Sequence, residues 1–373
     1  MTVTSLFLEN FRNYKELDIK LGRGINILCG ENGHGKTNLL EALYFFTTAK
    51  SFRGAQEKDI ISLGKEGFRI GLEFEGSGRD KNISFSYNTG KKRKIILNGV
   101  EKNKRADIIG QFRAVVFTPD HLSLVKGGPA ERRRFIDTGL CQIRPAYFSG
   151  LLKAQKLLAQ KLALLKRAGG ADKTIIDIIN CELSQVCGFI IKNRAEYIKK
   201  IEGLAKIRHN EISEGAEALA ISYYPFCRGE DFENADEIAK RCYERLSGGM
   251  SAEIAAGGCL YGTHRDGIEL FINSQNARIF ASQGQQRSIV LSLKSAECEM
   301  LRGDDGEYPV LLLDDMLSEL DRRRQEYILN HTGAGQVIIT CCDKTQLEKM
   351  AAGGSRMFLI KDGKVKKSAR KGF

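Results

Sequence analysis

Over the first 120 residues, short segments with apolar residues at alternating positions are separated by turns, apart from the apolar run Ile25 to Cys29 and the helical pattern that follows it. Gly and Asn, which favour turns, separate the alternating segments. This pattern predicts half-buried strands joined mainly as antiparallel hairpins. The expected strands are LFLENF, LDIKL, FRIGLEFEG, NISFSYN, KIILNG and AVVFTPD.

The apolar spacing then changes to the steps of three and four that are typical of helices. Leu151, Ala154 and Leu158 share one predicted helix face, Gly169-Gly170 interrupts the pattern, and a second helical stretch covers Lys173 to Glu214. The leucine stripe is typical of core packing, although a partner-binding zipper has the same spacing. These arms are too short for a long coiled coil.

A glycine-rich loop, GENGHGKT, follows the apolar run Ile25 to Cys29 and precedes a helical pattern. It fits GxxxxGK[ST], in which backbone N–H groups converge on phosphate oxygens. Lys36 would reach the β and γ phosphates, and the Thr37 hydroxyl would bind Mg²⁺. The candidate nucleotide-binding residues of this loop are Gly30, Glu31, Asn32, Gly33, His34, Gly35, Lys36 and Thr37.

A second apolar run, Val310 to Leu313, ends in two carboxylates. Continuous apolar runs are typical of buried parallel strands. Because phosphoryl-transfer sites hold Mg²⁺ with an Asp at such a strand end, Asp314 is the candidate metal ligand. Asp315 could orient the attacking water, and with Lys36 these two residues form the candidate catalytic group. An Asp pair is also a common cap or turn signal, but the P-loop upstream favours catalysis.

The segment SQGQQR, residues 282–287, precedes another helical pattern that extends to residue 300. Ser282 and Gln285 have the spacing of a capping box, in which each side chain bonds the backbone of the other. This structural interpretation and a role in binding remain open on the residues alone.

The 58 Lys and Arg residues outnumber the 46 Asp and Glu residues, for a net charge of +12. Such a balance favours polyanionic partners, either nucleic acid or an anionic membrane surface. Each basic cluster alone could be a solvated face, but together they favour a salt-sensitive contact with the DNA backbone that is largely independent of sequence. The clusters are Lys91–Lys94, Lys102–Arg105, Arg132–Arg134, Arg322–Arg324, and the tail with Lys364, Lys366, Lys367, Arg370 and Lys371.

The ten cysteines are scattered and lack paired zinc spacing, which is typical of reduced thiols in the cytosol. The N-terminus has no signal-peptide pattern, and no run of about 18 apolar residues occurs. We therefore expect a cytoplasmic protein without a membrane partner.

The order of P-loop, SQGQQR, LLLDD and Ser318–Asp321 resembles that of ABC-type ATPase heads. This resemblance implies an α/β P-loop NTPase fold with a mixed β lobe and a short helical-hairpin second lobe. It also implies ATP with Mg²⁺, sandwiched in a homodimer in which Ser282, Gly284 and Gln285 of one chain contact nucleotide held by the other. We expect lobe I to contain residues 1–144 and 259–373. Lobe II would be residues 145–258, with helix 282–300 packed against it.

Three further segments, Leu8–Tyr14, Gly127–Phe135 and Thr263–Asp266, narrow the resemblance to the RecF family of bacterial recombination mediators. That resemblance implies ATP-dependent DNA binding at single-strand gaps and duplex junctions, in replication and recombinational repair. It further implies cooperation with RecR and RecO to load RecA, and a part in the SOS response. Asp315 stands where transporter ATPases usually carry Glu, which implies a weak, DNA-stimulated ATPase that works as a switch.

An alternative is an ABC-type regulatory ATPase that acts on a protein partner rather than on DNA. The basic clusters count against this alternative, and salt-dependent DNA binding would distinguish the two functions.

Overall fold

The computed structural model describes residues 1–166, 172–229, 231–331, 333, 335–342 and 355–367. The chain forms two compact units. The first combines the described residues of Met1–His121 and Lys294–Phe373, and the second those of Leu122–Leu293.

Strands form where apolar residues recur at every second position, and helices form where they recur at every third or fourth position. The strands are β1 (Thr2–Phe11), β2 (Tyr14–Lys20), β3 (Gly24–Cys29), β4 (Gly67–Gly76), β5 (Arg79–Asn88), β6 (Lys94–Leu97), β7 (Val100–Lys102), β8 (Ala114–Phe117), β9 (Leu219–Tyr224), β10 (Gly267–Ile272), β11 (Gln275–Asn276), β12 (Val310–Leu313), β13 (Gln336–Cys341), β14 (Arg356–Lys361) and β15 (Lys364–Lys367). The helices are α1 (Lys36–Thr48), α2 (Glu57–Ile60), α3 (Ser123–Lys126), α4 (Pro129–Ile143), α5 (Pro145–Leu165), α6 (Lys173–Ser213), α7 (Ala235–Gly248), α8 (Met250–Ala256), α9 (Ala277–Phe280), α10 (Gln283–Met300) and α11 (Arg322–His331). Short 3-10 turns lie at Arg105–Asp107, Pro119–Leu122, Thr263–Arg265 and Met316–Glu319.

The predicted hairpins form an antiparallel sheet in the first unit, with strand order β2-β1-β4-β5-β6-β7. Leu8 in β1 lies opposite Leu17 on one side and Ile70 on the other. Alternate residues of β4, including Ile70 and Leu72, are buried, as the period of two predicts.

A second sheet of the first unit has the order β15-β14-β3-β13-β12-β8. Its strands are parallel except β15, which pairs antiparallel with β14. The buried-strand prediction for Val310 to Leu313 is therefore confirmed. Parallel strands end at one sheet edge, so the loop after β3 and the carboxylates after β12 share that edge. Ligands bind at the carboxyl ends of strands in such sheets.

Helix α1 is almost entirely buried and belongs to one core with residues of both sheets. Leu40, Phe45 and Phe46 are each no more than 1% exposed. The Phe45 ring packs edge-on against Phe85 with centroids 4.9 Å apart. This packing holds the first residues of α1, which carry the candidate chemistry, on a rigid element.

The second unit contains α3 to α9 and the antiparallel sheet β11-β10-β9. The predicted helical stretch from Lys173 to Glu214 is confirmed as α6, a helix of 41 residues. The Asp172 side chain caps its start by accepting hydrogen bonds from the N–H groups of Thr174 and Ile175.

Arg194 of α6 is the centre of a buried hydrogen-bond network in the second unit. It donates to Asp137 of α4, with Nε and Nη2 at 2.9 and 2.8 Å from the carboxylate. Its Nη1 donates to Asp266 Oδ2 at 2.6 Å and to the Thr263 carbonyl at 2.7 Å. The Tyr223 hydroxyl also donates to Asp266, at 2.6 Å. Asp266, the last residue of the segment THRD, thus ties together α6, β9 and the loop before β10.

The division into units differs from the sequence-based boundaries of 145–258 for lobe II. The second unit starts earlier because α4 packs on α5 and α6. It ends later because β9 pairs with β10 along Leu219 to Tyr224. The division at 293/294 falls within α10, so the helix predicted at 282–300 is shared by the two units.

Helix α6 is the one helix in the described ranges that is long and apolar enough to span a membrane by length and composition. Its most apolar window has a mean hydropathy of 1.5, and 56% of that window is buried inside the protein. Buried core helices meet the same criteria, so this feature is weak evidence for a membrane segment.

Candidate nucleotide-binding site

The loop after β3 depends on glycine at positions where a side chain cannot fit. A Cβ on Gly30 would lie 2.3 Å from the Ile360 carbonyl oxygen. Gly33 and Gly35 have φ of +82° and +109°, and a Cβ on Gly35 would lie 2.7 Å from the Asn13 side chain. Only glycine adopts these conformations at low cost. The loop therefore keeps its backbone open to a ligand, as the motif predicts.

Lys36 is the first residue of α1, and its ammonium group lies over the loop. Nζ donates to the carbonyl oxygens of Gly30 at 2.7 Å and Glu31 at 3.1 Å, and to Asn32 Oδ1 at 3.4 Å. The residue is only 4% exposed. The loop thus positions one positive charge where a phosphate-binding loop needs it.

Asp314 and Thr37, which are 277 residues apart in sequence, meet at the sheet edge. Thr37 Oγ1 donates to Asp314 Oδ1 at 2.9 Å, and Thr340 Oγ1, at the end of β13, donates to the same oxygen at 2.9 Å. The Asp314 N–H donates to the Phe117 carbonyl and so keeps the carboxylate at the strand end. The structure brings together the two residues predicted to bind the metal.

Burial raises the pKa of Asp314 above its ordinary value, and the neighbouring carboxylate of Asp315 adds to this effect. The hydrogen bonds from Thr37 and Thr340 act in the opposite direction. A divalent cation would also favour the ionised carboxylate. The hydroxyl and carboxylate oxygens are the hard donors that Mg²⁺ prefers, so the residues present fit this ion.

Asp315 follows directly, but its backbone turns away from the strand. Its φ is +49°, in the left-handed region, and its N–H donates to Thr340 Oγ1 at 2.9 Å. Its Oδ1 lies 3.9 Å from Cys342 Sγ. The two carboxylates therefore have different surroundings, as expected for different roles.

Residues of the segment Leu8–Tyr14 support the loop, a role that the sequence reasoning missed. Asn13 Nδ2 donates to the His34 carbonyl at 3.1 Å, and the Tyr14 hydroxyl donates to the Gly35 carbonyl at 3.0 Å. Arg12 forms a two-point ion pair with Glu41 of α1, at 2.9 and 2.6 Å. The polar pair Arg12-Asn13 was the available signal, because it interrupts the apolar alternation between two predicted strands.

Glu31 is exposed in the loop, and the partly buried His34 contacts it. His34 Nε2 lies 3.3 Å from the Glu31 carboxylate, and Nδ1 accepts a hydrogen bond from the Asp362 N–H at 3.0 Å. These contacts hold the loop from the side of the turn between β14 and β15.

Three cysteine thiols lie close to the phosphate-binding loop, although the sequence assigned them no role. Cys29 Sγ and Cys341 Sγ are 3.0 Å apart on neighbouring strands, and this contact, followed by burial, raises the pKa of Cys341. Cys342 Sγ lies 3.3 Å from Lys36 Nζ and 2.9 Å from Asn32 Oδ1. All ten cysteines are free thiols, as expected for reduced cysteines.

Ser282, Gly284 and Gln285 lie in the second unit, at the start of α10. The predicted capping box is confirmed, since the Ser282 N–H donates to Gln285 Oε1 at 2.8 Å and the Gln285 N–H donates to Ser282 Oγ at 3.2 Å. Ser282 is nevertheless exposed at the N-terminus of an 18-residue helix, where backbone N–H groups and the helix dipole favour anions. The side chains of Ser318 and Glu319 lie outside the described residues.

The arginine cluster at 132–134 is partly structural. Arg132 is 6% exposed and donates to the carbonyls of Ile268 at 2.5 Å and Gly127 at 3.0 Å. Arg133 donates to the Asp266 carbonyl at 2.5 Å. These two side chains are committed to backbone acceptors of the second unit, so they are poor candidates for phosphate contacts.

Other basic clusters combine paired and exposed side chains. Arg93 and Arg105 both pair with Glu57. Tail residues Arg370 and Lys371 lie outside the described residues. The exposed lysines of the predicted clusters are Lys91, Lys92, Lys94, Lys104, Lys364 and Lys366.

Comparison with known proteins shows which family this chain belongs to. The family model described as the RecF/RecN/SMC N terminal domain matches residues 2–366. A protein of Acetivibrio thermocellus named "DNA replication and repair protein RecF" is 35% identical over 98% of this chain and 100% of its own length. The protein of the same name from Ruminiclostridium cellulolyticum is 37% identical over 98% and 99%.

Solved structures are similar over the same length. The recombination mediator protein RecF with ATP, in the RecFOR pathway, has a TM-score of 0.90 at 31% identity and covers 99% of this chain and 98% of its own. The RecF-ATPrS structure has a TM-score of 0.91 at 32% identity and covers 98% of each chain. An SMC head bound to the C-winged helix domain of ScpA, at a TM-score of 0.55 and 15% identity over 99% and 98%, shows the fold alone. The α/β ABC-type head fold predicted from the sequence is confirmed, and the chain belongs to the RecF family.

Proposed function

We propose that this chain is an ATP-dependent DNA-binding protein of recombinational repair and replication restart. Two copies would close around ATP, and the closed dimer would bind DNA at single-strand gaps or duplex junctions. The observation that carries this proposal is the convergence of Lys36, Thr37 and Asp314 at one sheet edge. The names of the relatives, which specify replication and repair and an ATP-bound form, support the same function.

Lys36 would exchange the Gly30 and Glu31 carbonyls for the β- and γ-phosphate oxygens of ATP. Thr37 and Asp314 would hold Mg²⁺, which when bound neutralises charge on the phosphates. Asp315 would orient the attacking water. Slow hydrolysis would then reset the dimer, so the output of the ATPase is a conformation rather than an altered DNA product.

The signature segment supports the dimer. Ser282, Gly284 and Gln285 are polar or small residues at an exposed helix N-terminus, a position suited to a phosphate. They lie in the second unit, whereas the loop and Asp314 lie in the first. We assign them to the ATP that a second copy holds, which makes two copies necessary for a complete site.

DNA binding is supported by charge. The net charge of +12 and the exposed lysines at 91, 92, 94, 104, 364 and 366 favour contacts with a phosphate backbone. Such contacts carry no sequence information directly. We therefore propose a largely sequence-independent interaction that weakens with salt.

The family resemblance also suggests which proteins this chain works with and where in the cell it acts. RecR and RecO would work with the DNA-bound dimer to load RecA, and the chain would thereby take part in the SOS response. We propose that it acts in the cytoplasm, where its DNA substrate and the reducing environment suited to its free thiols are found.

Replacing Ser282 by Arg tests the dimer. The long charged side chain would occupy the exposed first turn of α10 and block closure of the dimer. ATP binding by the monomer should persist, because the phosphate-binding loop after β3 is unchanged. Equilibrium binding of a fluorescent ATP analogue and sedimentation with ATP and Mg²⁺ measure the two properties. Ser251→Arg, at an exposed position of α8, is the matched control. If the Ser282 variant dimerises like the wild type, the assignment of this segment is wrong.

A further inference from the structure

A glutamate after the long helix α6 contacts the signature segment. Glu217 lies in the connection between α6 and β9. Its Oε1 accepts a hydrogen bond from Gln285 Nε2 at 3.0 Å, and its Oε2 is 3.0 Å from His209 Nε2. The Glu217 side chain is 20% exposed, and the His209 side chain is completely buried. One carboxylate thus joins the exposed start of α10 to the interior of the second unit.

The histidine extends this connection along α10. His209 Nδ1 is 3.0 Å from Ser292 Oγ, and Ser292 Oγ donates to the Ser288 carbonyl at 2.7 Å. Gln285 and Ser292 are seven residues apart, so they lie on the same face of α10, two turns from each other. The end of α6 therefore holds the first turns of α10 at two points.

The contact also sets the side chain of Gln285. Its Oε1 accepts the Ser282 N–H, and its Nε2 donates to Glu217. Both ends of the amide are used, which leaves the side chain one orientation. The same orientation closes the capping box that fixes the Ser282 hydroxyl.

We infer that Glu217, supported by His209, is a positioning residue that holds the signature turn in the orientation needed for closure on the nucleotide of a second copy. This inference rests on the proposed function of that turn. Glu217 does not touch the nucleotide in this account. It acts through Gln285, so that a shift of the C-terminal end of α6 is transmitted to Ser282.

The competing explanation is that Glu217 only stabilises the fold. The conservative variant Glu217→Gln distinguishes this explanation from a positioning role. In Glu217→Gln the new Oε1 can accept from Gln285, and the new Nε2 can donate to His209 Nε2. Burial lowers the pKa of His209, so its ring is neutral near pH 7, and in the wild type it donates from Nε2 to the Glu217 carboxylate. In the Gln variant the neutral ring can take the other tautomer, in which Nε2 accepts from the new amide and Nδ1 donates to Ser292. Glu217→Ala removes both contacts.

The test compares Glu217→Ala, Glu217→Gln and the control Glu211→Ala. The control removes a partly exposed ion pair between Glu211 and Arg208, both in α6. We expect Glu217→Ala to weaken ATP-dependent dimerisation by about 10-fold, the loss typical for one hydrogen bond to a charged group. ATP binding by the separate chain should not change. Glu217→Gln and Glu211→Ala should dimerise like the wild type.

Hydrogen exchange of the backbone amides of residues 282–287, measured on the separate chain, is the second readout. Glu217→Ala should speed exchange in this segment, and Glu217→Gln should leave it slow. Equal exchange and equal dimerisation of the Ala variant and the wild type would overturn the inference, as would a Gln variant as impaired as the Ala variant. A wild-type chain that does not dimerise with ATP would instead refute the proposed function, and the exchange measurement would still test the positioning role.

Discussion

Replacing Lys36 by Ala is expected to abolish ATP binding and, with it, ATP-dependent dimerisation. Charged hydrogen bonds contribute about 1.5–3 kcal/mol each, so the loss of contacts with two phosphates should weaken binding by roughly 100-fold or more. The effect should be this large because Lys36 is only 4% exposed and its ammonium group is already held over the loop. Titration with a fluorescent ATP analogue measures it.

The exposed Lys65 provides the control for this experiment, since Lys65→Ala removes the same charge from the same unit at a distance in sequence from the loop. Thermal unfolding of both variants shows whether the fold is intact. If folded Lys36→Ala binds ATP as tightly as Lys65→Ala, the loop is not the nucleotide site.

Replacing Arg194 by Met is expected to destabilise the second unit by about 3–5 kcal/mol, the usual cost of breaking a buried ion pair on one side. Arg194 is buried and donates to the carboxylates of both Asp137 and Asp266. Methionine nearly fills the volume but leaves the Asp266 carboxylate, itself fully buried, without its cation. Denaturant-induced unfolding measures the free-energy change.

This loss should depend on pH in a defined direction. Burial raises the pKa of Asp266, and Arg194 is the largest of the groups that oppose this rise. Without Arg194 the pKa of Asp266 in the folded state should be higher still. Between this pKa and the ordinary pKa of the unfolded state, Asp266 is protonated in the folded variant and ionised in the unfolded one. The deficit should therefore be greatest above the folded-state pKa of Asp266 and shrink as the pH falls toward its ordinary value.

Lys192→Met is the matched control, because Lys192 lies on the same helix in a solvent-exposed pair with Glu196 at 3.9 Å. Exposed pairs of this kind contribute about 0–1 kcal/mol. If the Arg194 variant is no less stable than the Lys192 variant, the network around Asp266 does not stabilise this unit.

Local patterns predicted the parts of the site that are encoded locally. The glycines of the loop, Lys36 and the strand before Asp314 were recognisable because each combines a periodic apolar segment with a defined polar end. The capping box at Ser282 and Gln285 was predictable for the same reason, since both partners lie within one helical turn. Helix α6 was predictable because its apolar spacing continues over many turns.

Contacts between distant segments were not predictable, because no local pattern specifies them. Thr340, which donates to Asp314, looks in sequence like any strand-ending threonine. Glu217 gives no sign that it reaches Gln285. Arg132 was grouped with possible DNA contacts by charge alone, yet its donors are used by carbonyl oxygens inside the second unit. A count of charged residues does not distinguish an arginine on the surface from one that is buried.

The most direct test of the ATP-gated DNA-binding dimer is the sedimentation mass of the protein with and without ATP and Mg²⁺, in the presence and absence of a gapped DNA duplex, at two salt concentrations. We predict the mass of one chain without ATP and of two chains with it. DNA should be retained only by the dimer and lost at high salt. A chain that stays monomeric with both ligands would contradict the account and direct attention to a protein partner.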